Sequence, residues 1–123
     1  MMKMILIIDD AIHLNQNLKV ALSQLGDFIL EQAYTGEDGV SKAIESQPHL
    51  IILDADMPDL RGWSATKLLR SNERTRNIPI LGFTSWASLD EIKEGIFVGI
   101  DDFLVKPFNL VAWQDKLESY LID

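Results

Sequence analysis

Short apolar runs alternate along this chain with longer segments in which apolar residues return every three or four positions, and that alternation restricts the fold to successive strand-helix pairs. From Lys3 to Ile8 the apolar run is almost unbroken, as expected of a strand buried on both faces. Leu14, Leu18, Ala21, Leu22 and Leu25 follow at helical spacing, and Gly26 closes that helix. Phe28 to Tyr34 has the more alternating pattern of an edge strand; Val40, Ala43 and Ile44 mark a short helix before Pro48. His49 to Leu53 reads as the third strand, and the acid-rich stretch through Pro58 to Gly62 as a loop leading into a helix from Trp63 through Arg70. Pro79 opens a fourth strand that runs to Phe83. Leu89, Ile92 and Ile96 then define a fourth helix, Asp102 to Val105 a fifth strand, and Leu110, Trp113, Leu117 and Leu121 the apolar stripe of a last helix.

Five such pairs in 123 residues leave room for one domain, 1–123, with no linker and no internal repeat. Right-handed crossovers make an open parallel sheet with helices on both faces the expected α/β arrangement. Hydrophobic residues at 47% and charged ones at 24% suit an ordinary folded chain and argue against disorder. A net charge of −8 disfavours direct contact with nucleic acid. With no cysteine, disulfide, thiolate-metal and thiol-nucleophile chemistries are excluded. The early apolar run stops at Asp9, too short for a membrane span or a signal-peptide core, so a cytoplasmic protein with no membrane partner is expected.

In sheets of this kind ligands sit beyond the carboxyl ends of the strands, which selects Asp9, Asp10, Asp54, Thr84 and Lys106. Two carboxylates about 5 Å apart repel by roughly 3 kcal/mol at an effective dielectric of about 20. A cation must offset that repulsion, and short, hard oxygen ligands suit Mg2+. Lys106 and Thr84 supply the charge and the hydroxyl that hold the oxygens of a transferring phosphoryl group. No glycine-rich phosphate loop is present, so the donor comes from another molecule. Asp54, midway between the acid pair and the Thr and Lys, is the expected nucleophile. Taken singly, each residue has a plainer reading: Asp9 and Asp10 as acids at a helix amino terminus, Lys106 as a turn lysine, Thr84 as a strand former. Asp101 and Asp102 are read as structural, Trp63 and Trp113 as core, and His13 and His49 as isolated side chains without metal-ligand spacing.

The motifs I-I-D-D at 7–10, L-I-I-L-D-A-D-M-P at 50–58, F-T-S at 83–85 and D-D-F-L-V-K-P-F at 101–108 resemble those of bacterial response regulator receiver domains over the whole chain. The resemblance implies a flavodoxin-like doubly wound (βα)5 fold with a five-stranded parallel sheet in order 2-1-3-4-5. It implies Asp54 as phosphoacceptor from a histidine kinase or histidine phosphotransfer protein, in a signalling domain rather than an enzyme. It also implies Asp10 as direct magnesium ligand, Asp9 acting through water, the Asp56 carbonyl completing the ligands, and Asp56 and Ser85 as phosphate-binding residues. Thr84 and Phe103 become the switch, and the Lys106-Pro107 peptide becomes cis, an isomer open to X-Pro bonds at modest cost. A face formed by the fourth helix, fifth strand and fifth helix, with Ile92, Phe97 and Phe103, becomes the surface for a downstream partner or a second copy. Leu89 and Ile96 are expected toward the sheet and Phe97 outward.

Three positions depart from the family pattern. Phe103 replaces the usual Tyr and lacks its hydroxyl, while Asp56 and Trp86 add an acid and a bulky ring near the site, from which an altered phosphoryl lifetime is expected. The competing enzyme reading is a small magnesium-dependent aspartyl-phosphate phosphatase resembling haloacid dehalogenases, which share D-x-D, Thr or Ser, and Lys. In that family the D-x-D lies on the first strand, whereas here it is on the third. A flavin-mononucleotide binder of flavodoxin type would need a hydroxyl-rich loop after the first strand, where Asp9 and Asp10 stand.

Overall fold

The apolar run near the amino terminus forms β1 (Lys3–Ile8), flanked by β2 (Phe28–Ala33) on one side and β3 (Leu50–Asp54) on the other. β4 (Ile80–Thr84) and β5 (Asp102–Val105) complete a parallel sheet in the order β2-β1-β3-β4-β5. This computed structural model describes residues 2–56, 62–85 and 89–121. The connecting helices are α1 (Ile12–Ser23), α2 (Gly36–Ser46), α3 (Gly62–Ser71), α4 (Leu89–Val98) and α5 (Leu110–Tyr120).

Every residue of β3 and β4 is buried, because helices cover both faces of the inner strands. Side chains alternate between two cores. Ile5, Ile7, Leu50, Ile52, Leu81 and Phe83 face Leu18 and Leu22 of α1 and Trp113 and Leu117 of α5. Leu6, Ile8, Ile51, Leu53 and Ile80 face Ala43 of α2 and Ala65 and Leu69 of α3, with Trp63 and Phe103 packed alongside. Trp113 lies edge-on to Phe83, ring centroids 5.0 Å apart, and stacks on Phe108 at 5.6 Å.

Several boundaries and facings differ from the sequence expectation. β3 and β4 each start and end one residue later, so Asp54 and Thr84 belong to the strands. β2 ends at Ala33 and α1 at Ser23, leaving Tyr34 and Leu25 outside them. Leu14 is exposed because the buried stripe of α1 runs through Asn15, Leu18 and Leu22. Asn15 can be buried because its amide donates to the carbonyls of Asp9 and Ala33 and its oxygen accepts from Gln32. Leu110 is exposed, since Phe108 already covers the Trp113 ring. Ile96 also faces solvent: α4 turns Gly95 inward, where a Cβ would lie 2.6 Å from Phe103 Cζ and 2.8 Å from Trp63 Cη2. No side chain fits there, and the positions just after it point away.

At the amino edge of the sheet, Arg70 donates to the carbonyls of Gly99, Arg76 and Ile78 and pairs with Asp101 at 2.7 Å. Asp101 also accepts from the Ile80 N–H at 2.8 Å, and Asp102 pairs with Lys116, as expected of structural acids. Gly99 has φ +118, a conformation side chains rarely adopt, and ends α4 against Arg70. His49 Nδ1 accepts from the Met4 N–H at 2.9 Å. The Lys106-Pro107 peptide is cis.

Gly39 of α2 lies against β1, where a Cβ would stand 2.5 Å from Ile8 Cδ1 and 2.9 Å from Cγ2. Gly39→Ala is therefore expected to destabilise the protein by about 1–3 kcal/mol through overpacking, more than the roughly 1 kcal/mol that Ala contributes to helix propensity. Urea denaturation reads this, and an unchanged or higher midpoint would contradict it.

Candidate functional site

The register of the sheet brings the strand ends together: Ile8 pairs with Leu53, Asp54 with Phe83, and Thr84 with Val105. The five residues selected from the sequence consequently meet at one edge. Asp9 is 1% exposed, Asp54 4% and Thr84 2%, whereas Asp10 is open to solvent and Lys106 half-buried. Carboxylate oxygens of Asp9, Asp10 and Asp54 lie within 4.8 Å of one another. Lys106 Nζ reaches Asp54 Oδ1 at 3.0 Å and stands 3.6 Å from Asp56 Oδ2. Its cation also lies 5.4 Å from the centre of the Phe83 ring.

Local backbone bonds fix the acids. Asp9 Oδ1 accepts from the Ala11 N–H and Asp54 Oδ1 from the Asp56 N–H, each at 2.9 Å. Asp56, at the solvent edge, turns its carboxylate toward β4: Oδ1 accepts from Thr84 Oγ1 at 2.8 Å, and Oδ2 accepts from Ser85 N at 2.8 Å and Ser85 Oγ at 2.7 Å.

The titration of these groups follows from that crowding. Burial, and then the neighbouring Asp54, push the Asp9 carboxyl up to about 7. Burial lowers the affinity of Lys106 for its proton, but the hydrogen bond and charge of Asp54, with Asp9 and Asp56 behind, outweigh it and raise the ammonium above its usual range. Burial raises Asp56 too, yet the Ser85 and Thr84 donors and the Lys106 charge hold it below the usual carboxylate range. A cluster of hard oxygens so placed fits a small divalent cation, whose charge would offset the burial and the Asp54 neighbour that push Asp9 up.

Phe103 is half-buried and edge-on to Trp63, with ring centroids 6.0 Å apart. Thr84, Ala55, Trp63, Glu91, Ile92 and Phe103 surround one narrow gap beneath α4. Of the three expected face residues, Phe97 is 90% exposed while Ile92 and Phe103 are half-buried. Ile96, Val105 and Val111 are exposed hydrophobics that the sequence reading did not select. Asn15 was also missed, since polarity in an apolar stripe reads as solvent-facing. Trp86 lies outside the described residues, as does the loop 57–61.

Residues 5–118 match the family described as the response regulator receiver domain. The chain belongs to that family. This receiver domain is 36% identical over 120 residues to the DNA-binding dual master transcriptional regulator RpaA of Synechocystis sp., covering 98% of this chain and 49% of RpaA. It thus spans about half the length of such relatives. Chemotaxis protein CheY4 of Vibrio cholerae superposes with a TM-score of 0.90 at 31% identity, covering 98% of this chain and 99% of that one. The receiver domain of a Pseudomonas aeruginosa sensor histidine kinase, crystallised with magnesium coordinated in its active site cleft, superposes at 0.88 with 26% identity and 98% coverage of each. These relatives support a signalling phosphoacceptor and give no support to the phosphatase alternative. Among the described residues no helix is long and apolar enough to cross a membrane.

Because the folded Asp9 titrates above the unfolded carboxyl, its contribution to stability is complete below about pH 4 and is lost as pH rises through about 7. In chelator, Asp9→Asn, which keeps the acceptor for Ala11, is expected to raise the melting temperature at about pH 8 by on the order of 5 °C. Near pH 4 it should have little effect. Added Mg2+ should stabilise the parent more than the variant, and an equal response of the two would contradict the reading.

Proposed function

We propose that Asp54 is the phosphoacceptor of a single receiver domain, taking its phosphoryl group from a phosphohistidine of a histidine kinase or phosphotransfer protein. The observation that carries this is the placement of the Asp54 carboxylate between the Asp9 and Asp10 acids and the Lys106 ammonium. An Asp54 oxygen attacks phosphorus in line, the P–N bond breaks with its electron pair returning to the imidazole, and an acyl phosphate forms. Asp9, Asp10, Asp54 and the Asp56 carbonyl would hold Mg2+, which when bound neutralises charge shared by the phosphoryl oxygens and the acids. Lys106 is placed to pair with one phosphoryl oxygen, and the Thr84 hydroxyl and Ser85 amide to donate to others.

The phosphoryl group brings about two negative charges, and it biases conformers only through contacts that differ between them. Thr84 provides that difference, and the gap it shares with Ile92 and Phe103 gives its movement a route beneath α4. The output surface is then α4, β5 and α5, where Phe97 and Val105 are exposed, and it meets a downstream protein or a second copy. A net charge of −8 favours a protein over nucleic acid as the immediate partner, in the cytoplasm.

Incubation with acetyl phosphate and Mg2+, followed by intact-mass measurement, is expected to add one phosphoryl group to the parent and none to Asp54→Asn. Chelation of Mg2+ should slow labelling by at least about 100-fold. Full labelling of Asp54→Asn would overturn the assignment.

A further inference from the structure

Asp56 stands two residues after Asp54 on the same turn, yet its carboxylate is spent on donors at the carboxyl end of β4. One oxygen accepts from Thr84 Oγ1 at 2.8 Å; the other accepts from Ser85 N at 2.8 Å and Ser85 Oγ at 2.7 Å; Lys106 Nζ is 3.6 Å away. These are the groups the reading above gives to the phosphoryl oxygens. We propose that the Asp56 carboxylate is an internal stand-in for the phosphoryl group, occupying the Thr84, Ser85 and Lys106 donors at rest, so that phosphorylation of Asp54 must displace it.

The exclusion follows from hydrogen-bond inventory. The Thr84 hydroxyl has one proton and the Ser85 amide one N–H, and neither serves two anions fully. A phosphoryl dianion and a carboxylate on the same donors would also repel each other in a site whose inner walls are buried. Asp56 therefore acts on the phosphoryl group by competing for its partners, as a positioning residue that never touches phosphorus. It also holds the Thr84 hydroxyl toward the site before any phosphoryl group arrives, which narrows the difference between resting and phosphorylated arrangements.

The inference rests on the proposed phosphoacceptor reading, and one experiment separates the two. The parent, Asp56→Asn, Asp56→Ala and Asp54→Asn are titrated with beryllium fluoride, a phosphoryl mimic, at Mg2+ concentrations shown to saturate each protein. Amide hydrogen exchange at Ser85 is followed without and with the mimic. Asp56→Ala is expected to bind beryllium fluoride about tenfold or more tightly than the parent, in line with relief of one charge-assisted hydrogen bond. Asp56→Asn, which keeps an acceptor but not the charge, should fall between them. Without the mimic the Ser85 amide should exchange faster in Asp56→Ala than in the parent, and with it the two should be equally protected. Equal or weaker binding by both Asp56 variants, or unchanged Ser85 exchange, would overturn the inference while leaving the phosphoacceptor reading intact. A parent that binds beryllium fluoride no better than Asp54→Asn would instead overturn the phosphoacceptor reading.

Discussion

A buried carboxylate is expensive, and this fold places Asp54 at 4% exposure beside two more acids. The arrangement holds because Lys106 comes from the opposite side to within 3.0 Å of Asp54 Oδ1. That contact links the end of β3 to the residue just after β5, across β4. It also leaves the Asp9 and Asp10 side of Asp54 short of positive charge, and this imbalance is what makes the edge receptive to a divalent cation.

Much of this was legible in the sequence, for identifiable reasons. Strands covered on both faces must be apolar almost throughout, so β1, β3 and β4 announce themselves, and the first polar residue after each run marks the functional edge. The same rule explains the one-residue error at β3 and β4. Asp54 and Thr84 look like loop residues by polarity, but their backbones continue the ladder, Asp54 opposite Phe83 and Thr84 opposite Val105.

What stayed hidden depended on contacts between distant segments. Hydrophobic spacing placed Ile96 inward, yet the inward position of α4 belongs to Gly95, since the Phe103 and Trp63 rings fill the space beneath it. Spacing likewise could not reveal that Asn15 is a core residue, because its partners are the carbonyls at the ends of β1 and β2. Nor did it show the Asp56 carboxylate turned toward Thr84 and Ser85, a choice made by backbone and side-chain donors nearly thirty positions along the chain.

The two edges of the sheet are unlike in mechanical character. At the amino edge the Arg70 guanidinium stitches α3 to the turn after α4 and to the approach to β4, through three carbonyls and Asp101. That seam anchors the carboxyl end of α4 at Gly99. Under the proposed function, a push delivered from Thr84 would meet a lever with a fixed fulcrum, and pivoting about that anchored end would be the helix's easier answer than sliding along the sheet.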